Sequence, residues 1–406
     1  MKSRLLGWGS RGLTAIFLLA LLGGVLNQPE AVTAQNAPET IRTGAWLDSV
    51  VFSEADEATG VAQLAANQLD LYDSYGSTNP GLYQDVLNNS ELTYSFSKGI
   101  YYELTFNPYG PMFNDGRLNP FSNTAIREAI NYLVDRQWII QNILGGLGRP
   151  KFLPITTDFP EYQRYRSTAQ ALEAQYAYDL PHAQAVIATE MTAMGSVLNG
   201  GVWNYNGEPI SIIFLIRIED ERLAIGDYVA DQLQAVGFAV DRQYKTRSEA
   251  SPIWSQSDPA EGLWHLYTGG WITTNVERDE GANFSFFYTP HYPIPLHQAY
   301  QPSPEFDALT LQLRDHDFAS WDERDVLFQQ ALADSLNDPG VGSVRVWLVN
   351  RNGFTPRRMG SVVSYNKAGG VLASDLWPYV ARFDGVVGGQ LRVAQPGLYQ
   401  IGRAHV

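Results

Sequence analysis

Ile212 to Ile218 is a nearly continuous apolar run, the pattern of a strand covered on both faces. Residues 219–235 then read as a helix carrying Leu223, Val229 and Leu233, with Val236 just beyond and Gly237 as its cap. Phe238 to Tyr244 is the next strand. A strand, a helix and a second strand in this order form a βαβ-like unit, which commits this part of the chain to an α/β fold. After a polar loop comes Leu263 to Trp271 (LWHLYTGGW), an alternating apolar run that ends in two glycines and a tryptophan. Ligands of open α/β sheets bind in the crevice beyond the strand ends. Glycine lets backbone approach a ligand closely, and Trp offers a flat apolar wall. Gly270 and Trp271 are therefore candidate ligand contacts, with the glycines expected to end the strand.

The remaining elements extend the same class. Ile41 to Phe52 reads as a strand region, and Asp56 to Leu71 as a helix with Val61, Leu64, Ala65 and Gln68 at helical spacing. Ser74 to Pro80 is a turn cluster. Leu92 to Asn107 is β-like, with Tyr101, Tyr102, Leu104 and Phe106 in one strand-forming run. Pro120 to Asn123 sets up an N-cap, after which Ile126, Ala129, Ile130, Leu133 and Val134 make one apolar stripe. Gly145 to Pro150 is a connector; no Gly-Lys-Ser/Thr follows, as a phosphate loop would need. Asp179 begins a helix that ends at Gly195. Asn283 to Tyr300 is irregular, Pro304 to Leu313 and Trp321 to Leu336 are helices, and Val344 to Val349 is a buried-type strand.

Composition removes whole classes of function. The formal net charge is −15 and the few basic residues are scattered, which argues against binding a nucleic-acid backbone. With no cysteine there are no disulfides, thiolate metal sites, Cys nucleophiles or lipid-anchored cysteine. Lys2, Arg4 and Arg11, the apolar stretch Leu13 to Leu26 and the small residues Val32-Thr33-Ala34 predict a signal peptide over 1–34. Its apolar run falls short of the about 20 residues that span a bilayer. The mature protein is expected to be soluble and periplasmic or extracellular. The six histidines offer no i, i+4 pair for a metal, and no Gly-x-Ser-x-Gly elbow occurs. No catalytic residue, cofactor or metal is predicted. Hydrolysis by an Asp/Glu pair stays open as an alternative, because carboxylates distant in sequence can meet in space.

The order of motifs resembles one known group. Asp56-x-x-Thr59 with Leu64 and Leu69-Asp70, Asn119 to Asn123 with Arg127 and Asp135-Arg136, Asp227 to Gly237, Gly270-Trp271 and Ser303 to Asp307 are similar to motifs of family 5 extracellular solute-binding proteins of ABC importers. The similarity covers most of residues 41–365. It implies a periplasmic-binding-protein-like fold (type II, Venus-flytrap) that closes on a small organic solute or short peptide and presents it to ABC permease subunits, acting as a monomer. An oligosaccharide is the alternative ligand. It also implies ligand contacts near Trp271 and along Tyr101, Tyr102 and Asn107. In the peptide binders, an Asp three residues beyond the Trp pairs with the ligand's α-amine. Thr274 holds that position here, and a hydroxyl cannot supply a charge-assisted partner for an ammonium.

The resemblance also sets expected boundaries: residues 35–106 as part of a first lobe, 107–365 as a second, and 366–400 as a return to the first. The second lobe is expected to be largely complete and the first partial. Gly388 to Gly397 is similar to the stretch that usually begins the mature family member, which suggests a permuted or tandem arrangement continuing past residue 400. Residues 401–406 read as a non-native tail.

Overall fold

A computed structural model describes residues 40–73, 77–273, 279–361 and 377–396. The expected signal peptide, Thr274 and the 401–406 tail lie outside the described residues. Fourteen strands are described: β1 (Ser49–Glu54), β2 (Leu71–Tyr72), β3 (Leu92–Ser97), β4 (Ile100–Phe106), β5 (Gly148–Pro150), β6 (Val197–Asn199), β7 (Val202–Tyr205), β8 (Glu208–Pro209), β9 (Ser211–Arg217), β10 (Ala239–Lys245), β11 (Leu266–Ile272), β12 (Arg345–Arg351), β13 (Gly353–Arg358) and β14 (Gln390–Gln395). They form a six-stranded sheet in the order β10-β9-β11-β4-β12-β5, a five-stranded sheet in the order β1-β14-β2-β13-β3, and a small antiparallel sheet of β6, β7 and β8. Among the described residues no helix is long and apolar enough to cross a membrane.

The six-stranded sheet divides two cores. Tyr102, Leu104 and Phe106 point from β4 into a cluster with Ile126, Ile130, Leu133, Ile187, Val229 and Leu233 from the helices on that side. Tyr101, Leu215, Tyr267 and Trp347 point the other way, onto Phe284, Phe287, Phe306, Phe328 and Leu332. Every residue of β4 is buried, Glu103 and Thr105 included, which explains why the rest of the strand is apolar or aromatic. The smaller sheet carries Val61, Leu64, Tyr72, Val86 and Phe354 on one face and Leu47, Leu71, Leu391 and Val393 on the other.

Local chemistry sets the helix ends. Asp56 accepts from the Thr59 amide, and the helix Glu57–Ala65 stops well before the expected Leu71. Asn67 turns it with φ 58°, a left-handed conformation that Asn tolerates better than most residues. Asn123 caps Thr124–Leu133 through the Ala125 and Ile126 amides, Asp135 restarts the chain as Arg136–Asn142, and Asp179 caps Leu180–Ala193. Several helices went unread in the sequence, Arg166–Gln175 and Arg247–Trp254 among them, and two others show why. Pro80–Leu87 is announced by Asn79-Pro80, with the Asn side chain accepting from the Gly81 and Leu82 amides. Ala282–Tyr288 lies within the stretch expected to be irregular; its aromatic residues have weak helix propensity and are placed by burial on more than one face.

The run Leu92–Asn107 is not one strand. It breaks at Lys98-Gly99, where the chain leaves the smaller sheet and enters the larger one; it returns at Asn352, between β12 and β13. The sheet change thus falls earlier than the boundaries drawn at residues 106 and 365. An apolar period marks a strand but not the sheet it joins. β14, from the stretch expected to begin a further segment, lies between β1 and β2 and runs parallel to both. Asp70 secures it, accepting from the Arg392 backbone amide and from both ends of its guanidinium.

Candidate ligand-binding site

β9, β10 and β11 run parallel, β4 runs against β11, and β12 runs against β4. The C-terminal ends of β9, β10, β11 and β12 therefore share one edge with the start of β4, the edge at which the chain crosses to the smaller sheet. Thr273, just past β11, donates its amide to Gly99 in the first crossing. By the strand-end rule this is where a ligand belongs.

The glycine pair does not end the strand. β11 continues through Gly269, Gly270 and Trp271 to Ile272, paired residue for residue with β4: Gly269 opposite Glu103, Gly270 opposite Tyr102, Trp271 opposite Tyr101. Each glycine makes room on a different face. A Cβ on Gly269 would overlap the Glu103 carboxylate, 2.7 Å from its Cδ and 3.0 Å from Thr105 Oγ1. On Gly270 it would meet Arg222 Nη1 at 2.8 Å and the Tyr102 ring at 3.1 Å.

On the Gly269 face, Trp271 is half-buried, with its ring edge-on to Phe286 and Phe287 at centroid separations of 5.5 and 5.1 Å. Its indole Nε1 donates to Glu103 Oε1 at 3.2 Å. The same oxygen accepts from Arg345 Nη1 at 2.9 Å and from the Thr105 hydroxyl. Both members of the Glu103–Arg345 pair are fully buried. The Arg345 guanidinium also lies 5.4 Å from the Trp271 ring and 5.0 Å from that of Phe287. Burial pushes the Glu103 carboxyl up from its ordinary range, and the Arg345 charge pulls against that. Arg345 Nη2 reaches His297 Nε2 at 3.4 Å. Burial, with the Arg345 charge beside it, holds His297 down at about 3, so its ring is neutral and accepts at Nε2.

On the Gly270 face, Tyr102 donates its hydroxyl to Glu221 at 2.7 Å, and the guanidiniums of Arg222 and Arg351 lie 5.3 and 5.7 Å from its ring. Arg222 grips Asp220 through two bonds of 2.8 and 2.6 Å, and Arg351 sits 3.6 Å from Glu221. Two cations and two anions thus surround a buried phenol at the shared edge.

The expected contacts therefore separate. Gly270 is exposed and Trp271 half-exposed, next to the exposed Ile272. Tyr101 and Tyr102 reach the same edge but are buried, Tyr101 with its hydroxyl 3.3 Å from that of Thr273. Asn107 is at the far end of β4, completely buried, donating to the Pro259 and Trp264 carbonyls and accepting from the Tyr109 amide. It is a clasp for the loop after β4, and it does not meet Trp271. Glu103 and Arg345 were not singled out in the sequence, although a Glu inside an apolar strand requires a buried partner and so was a signal.

Two concavities lie away from this edge. One of about 550 Å³ is lined by Trp138, Tyr178, Tyr228, Asp227 and Asp231 on the helical flank of the larger sheet. Another of about 650 Å³ lies among Tyr109, Asp258, Pro259, Pro295 and Pro339, at the end of the strands away from the crossings. Among the described residues no three His, Asp or Glu side chains converge as a metal site would need.

The profile of the bacterial extracellular solute-binding proteins, family 5, matches residues 41–292. The chain belongs to that family. No curated protein sequence matches it. Among solved structures, it is similar to the oligopeptide-binding protein AppA of Bacillus subtilis, in complex with a nonapeptide, with 16% identity, a TM-score of 0.58, and coverage of 81% of this chain and 58% of that one. It is similar to NikZ of Campylobacter jejuni, in complex with Ni(L-His), with 16% identity, a TM-score of 0.56, and coverage of 80% and 60%. The periplasmic oligopeptide-binding protein of Thermotoga maritima, bound to mannohexaose, matches with 13% identity, a TM-score of 0.60, and coverage of 80% and 59%. This family 5 chain thus spans 58–60% of the length of those three. At such identities the likeness establishes the fold, the α/β architecture of periplasmic binding proteins.

Proposed function

We propose that this family 5 chain is the substrate-binding component of an ABC importer. It captures a small organic solute or short peptide between its two sheets, against Trp271, and delivers it to membrane permease subunits. It works as an exported monomer, with closure as a hinge motion at Lys98-Gly99 and Asn352. The observation that carries this reading is the position of Trp271: a half-exposed aromatic at the strand edge where both crossings between the sheets occur. Large aromatic surface left partly open at such an edge is what a ligand wall requires.

The surrounding chemistry favours a neutral group against the wall. Glu103 is taken by Arg345, Asp220 by Arg222, and Glu221 by Tyr102 and Arg351. Thr274 stands where a carboxylate would meet an ammonium. An oligosaccharide is the second reading, supported by the open Trp271 face, on which a sugar ring can stack. The mannohexaose bound by the Thermotoga neighbour supports this reading.

Native mass spectrometry of the purified protein tests both readings. The expected result is one small molecule or peptide per chain, released on denaturation and chemically unchanged after incubation with fresh protein. Turnover of a glycoside or peptide, with a pH profile abolished by replacing one carboxylate, would instead establish an exported hydrolase.

A further inference from the structure

Trp271 is held in a way that its role as a wall alone does not require. Its neighbours Phe286 and Phe287 suffice to pack an indole. Yet the ring is also tied by its Nε1 to a carboxylate with no exposed surface, which is itself tied to an arginine with none. A buried ion pair of this kind is seldom kept for stability, because apolar residues of similar volume do as well or better in its place. The strand is fitted to the pair: Gly269, directly opposite Glu103, leaves the carboxylate its space. Arg345 is in turn oriented by Thr105 Oγ1 at 3.1 Å and by His297. The chain of contacts is His297 to Arg345 to Glu103 to the indole N–H, and it ends on a half-exposed aromatic ring at the crossing edge.

We propose that Glu103 and Arg345 are positioning residues that fix the rotamer of Trp271, so that one edge of the indole is committed to the interior and the ring is presented to the cleft in a single orientation before any ligand arrives. This rests on the reading of Trp271 as the ligand wall, and it adds the device that sets the wall's angle. Preorganisation of this kind removes the entropy of ordering a rotamer-rich side chain on binding. It also makes the site selective for ligands whose flat face matches the fixed plane. The indole N–H is satisfied internally by Glu103 and so is not offered to the ligand; recognition at Trp271 is through the ring face, by stacking or CH–π contact.

The experiment separates positioning from ligand use. Indole N–H resonances of the ligand-free protein are recorded with isotope-labelled tryptophan, and that of Trp271 is assigned by its loss in Trp271→Phe. In the wild type it should be a single resonance, displaced by its carboxylate acceptor and slow to exchange. Glu103→Gln keeps an acceptor oxygen and should restore a single protected resonance. The paired replacement Glu103→Leu with Arg345→Met removes both charges together, so it folds; it should speed exchange of this one indole by about tenfold or more, as expected for loss of a hydrogen bond to a charged group. It should also broaden or split the Trp271 signal while leaving the signals of the buried Trp264 and Trp347 in place. A Trp271 resonance unchanged in the paired variant would overturn the proposal, showing that Phe286 and Phe287 alone hold the ring. A Trp271→Ala protein, which has no ring, addresses the underlying reading separately: if it retains the co-purified ligand at wild-type occupancy, the wall assignment fails even where the positioning result stands.

Discussion

Replacing Gly269 and Gly270 in turn by alanine tests the strand geometry that underlies the site. Both residues lie in β11, neither has a positive φ, and a Cβ is sterically compatible with the backbone of each. What differs is the neighbour. At Gly269 the methyl group would overlap the Glu103 carboxylate, which cannot swing away because Arg345, Thr105 and Trp271 all bond the same oxygen. Overpacking of a rigid interior costs about 1–3 kcal/mol, and breaking the buried pair to relieve the clash would cost about 3–5 kcal/mol. At Gly270 the obstacles are Arg222 Nη1, the guanidinium nitrogen that its two bonds to Asp220 leave out, and the Tyr102 ring edge at 3.1 Å; a shift of a few tenths of an ångström relieves both, so Gly270→Ala should cost under about 1 kcal/mol. In urea denaturation followed by tryptophan fluorescence, Gly269→Ala should lower the unfolding midpoint well below that of Gly270→Ala. Thermally the gap should be at least about 2 °C, since about 1 kcal/mol moves a domain of this size by roughly 2–4 °C. Equal midpoints for the two variants would refute the claim that Gly269 exists to house the Glu103 carboxylate.

Three further outcomes follow from the same contacts. Arg392→Ala should destabilise the smaller sheet by about 2–3 kcal/mol, because it removes the guanidinium that bonds the buried Asp70, leaving only Arg358 at 3.9 Å, and loosens β14; limited proteolysis between residues 377 and 396 is the direct readout, and unchanged resistance there would contradict the role given to Asp70. Asn107→Ala should lower stability by about 1–3 kcal/mol through the two carbonyls it leaves unbonded, while ligand affinity stays within about twofold; a large loss of affinity at unchanged stability would return Asn107 to the binding site. His265 and His297 are each held down at about 3, chiefly by burial, and His265 accepts the Ile213 amide at Nδ1, so both must be neutral in the folded protein. Their folded values lie below the unfolded value of about 6.5, so the unfolded chain binds protons that the native one does not between about pH 6.5 and 3, and stability falls as pH drops through that window. Glu161, which burial raises to about 7, contributes the opposite slope between about 4.5 and 7. His265→Asn should therefore flatten the acid side of the stability–pH curve, and an unchanged slope in denaturant midpoints between pH 7 and 5 would show that His265 is not titrating as described.

Much of this was legible in the sequence because it rests on short-range chemistry. The βαβ unit of β9 and β10 was plain from an apolar run, a helical period and Gly237, and the caps at Asp56, Asn123 and Asp179 are side-chain bonds to amides two or three residues away. Trp271 could be singled out because a strand end and an aromatic residue coincide there. What escaped depended on partners far along the chain. Nothing local tells that the run Leu92–Asn107 serves two sheets, since Ser97 pairs with Gly353 and Tyr101 with Trp271. The glycines were read as a turn because their usual use is conformational; their reason here is the bulk of Glu103 and Arg222 on strands and loops elsewhere. Asn107 looked like a polar residue available to a ligand, and only the carbonyls of Pro259 and Trp264 show where its hydrogen bonds go.

The central claim is that a ligand lies against Trp271, and calorimetric titration of the co-purified solute tests it most directly. The solute is titrated into wild type, Trp271→Ala and, as a control for losing an exposed aromatic elsewhere, Trp138→Ala. A stacked aromatic truncated at a binding site costs about 2 kcal/mol or more, which is at least about tenfold in affinity. The account predicts that loss for Trp271→Ala and a dissociation constant within about twofold of wild type for Trp138→Ala. Wild-type affinity in Trp271→Ala, or a greater loss in Trp138→Ala, would place the ligand elsewhere and contradict the account.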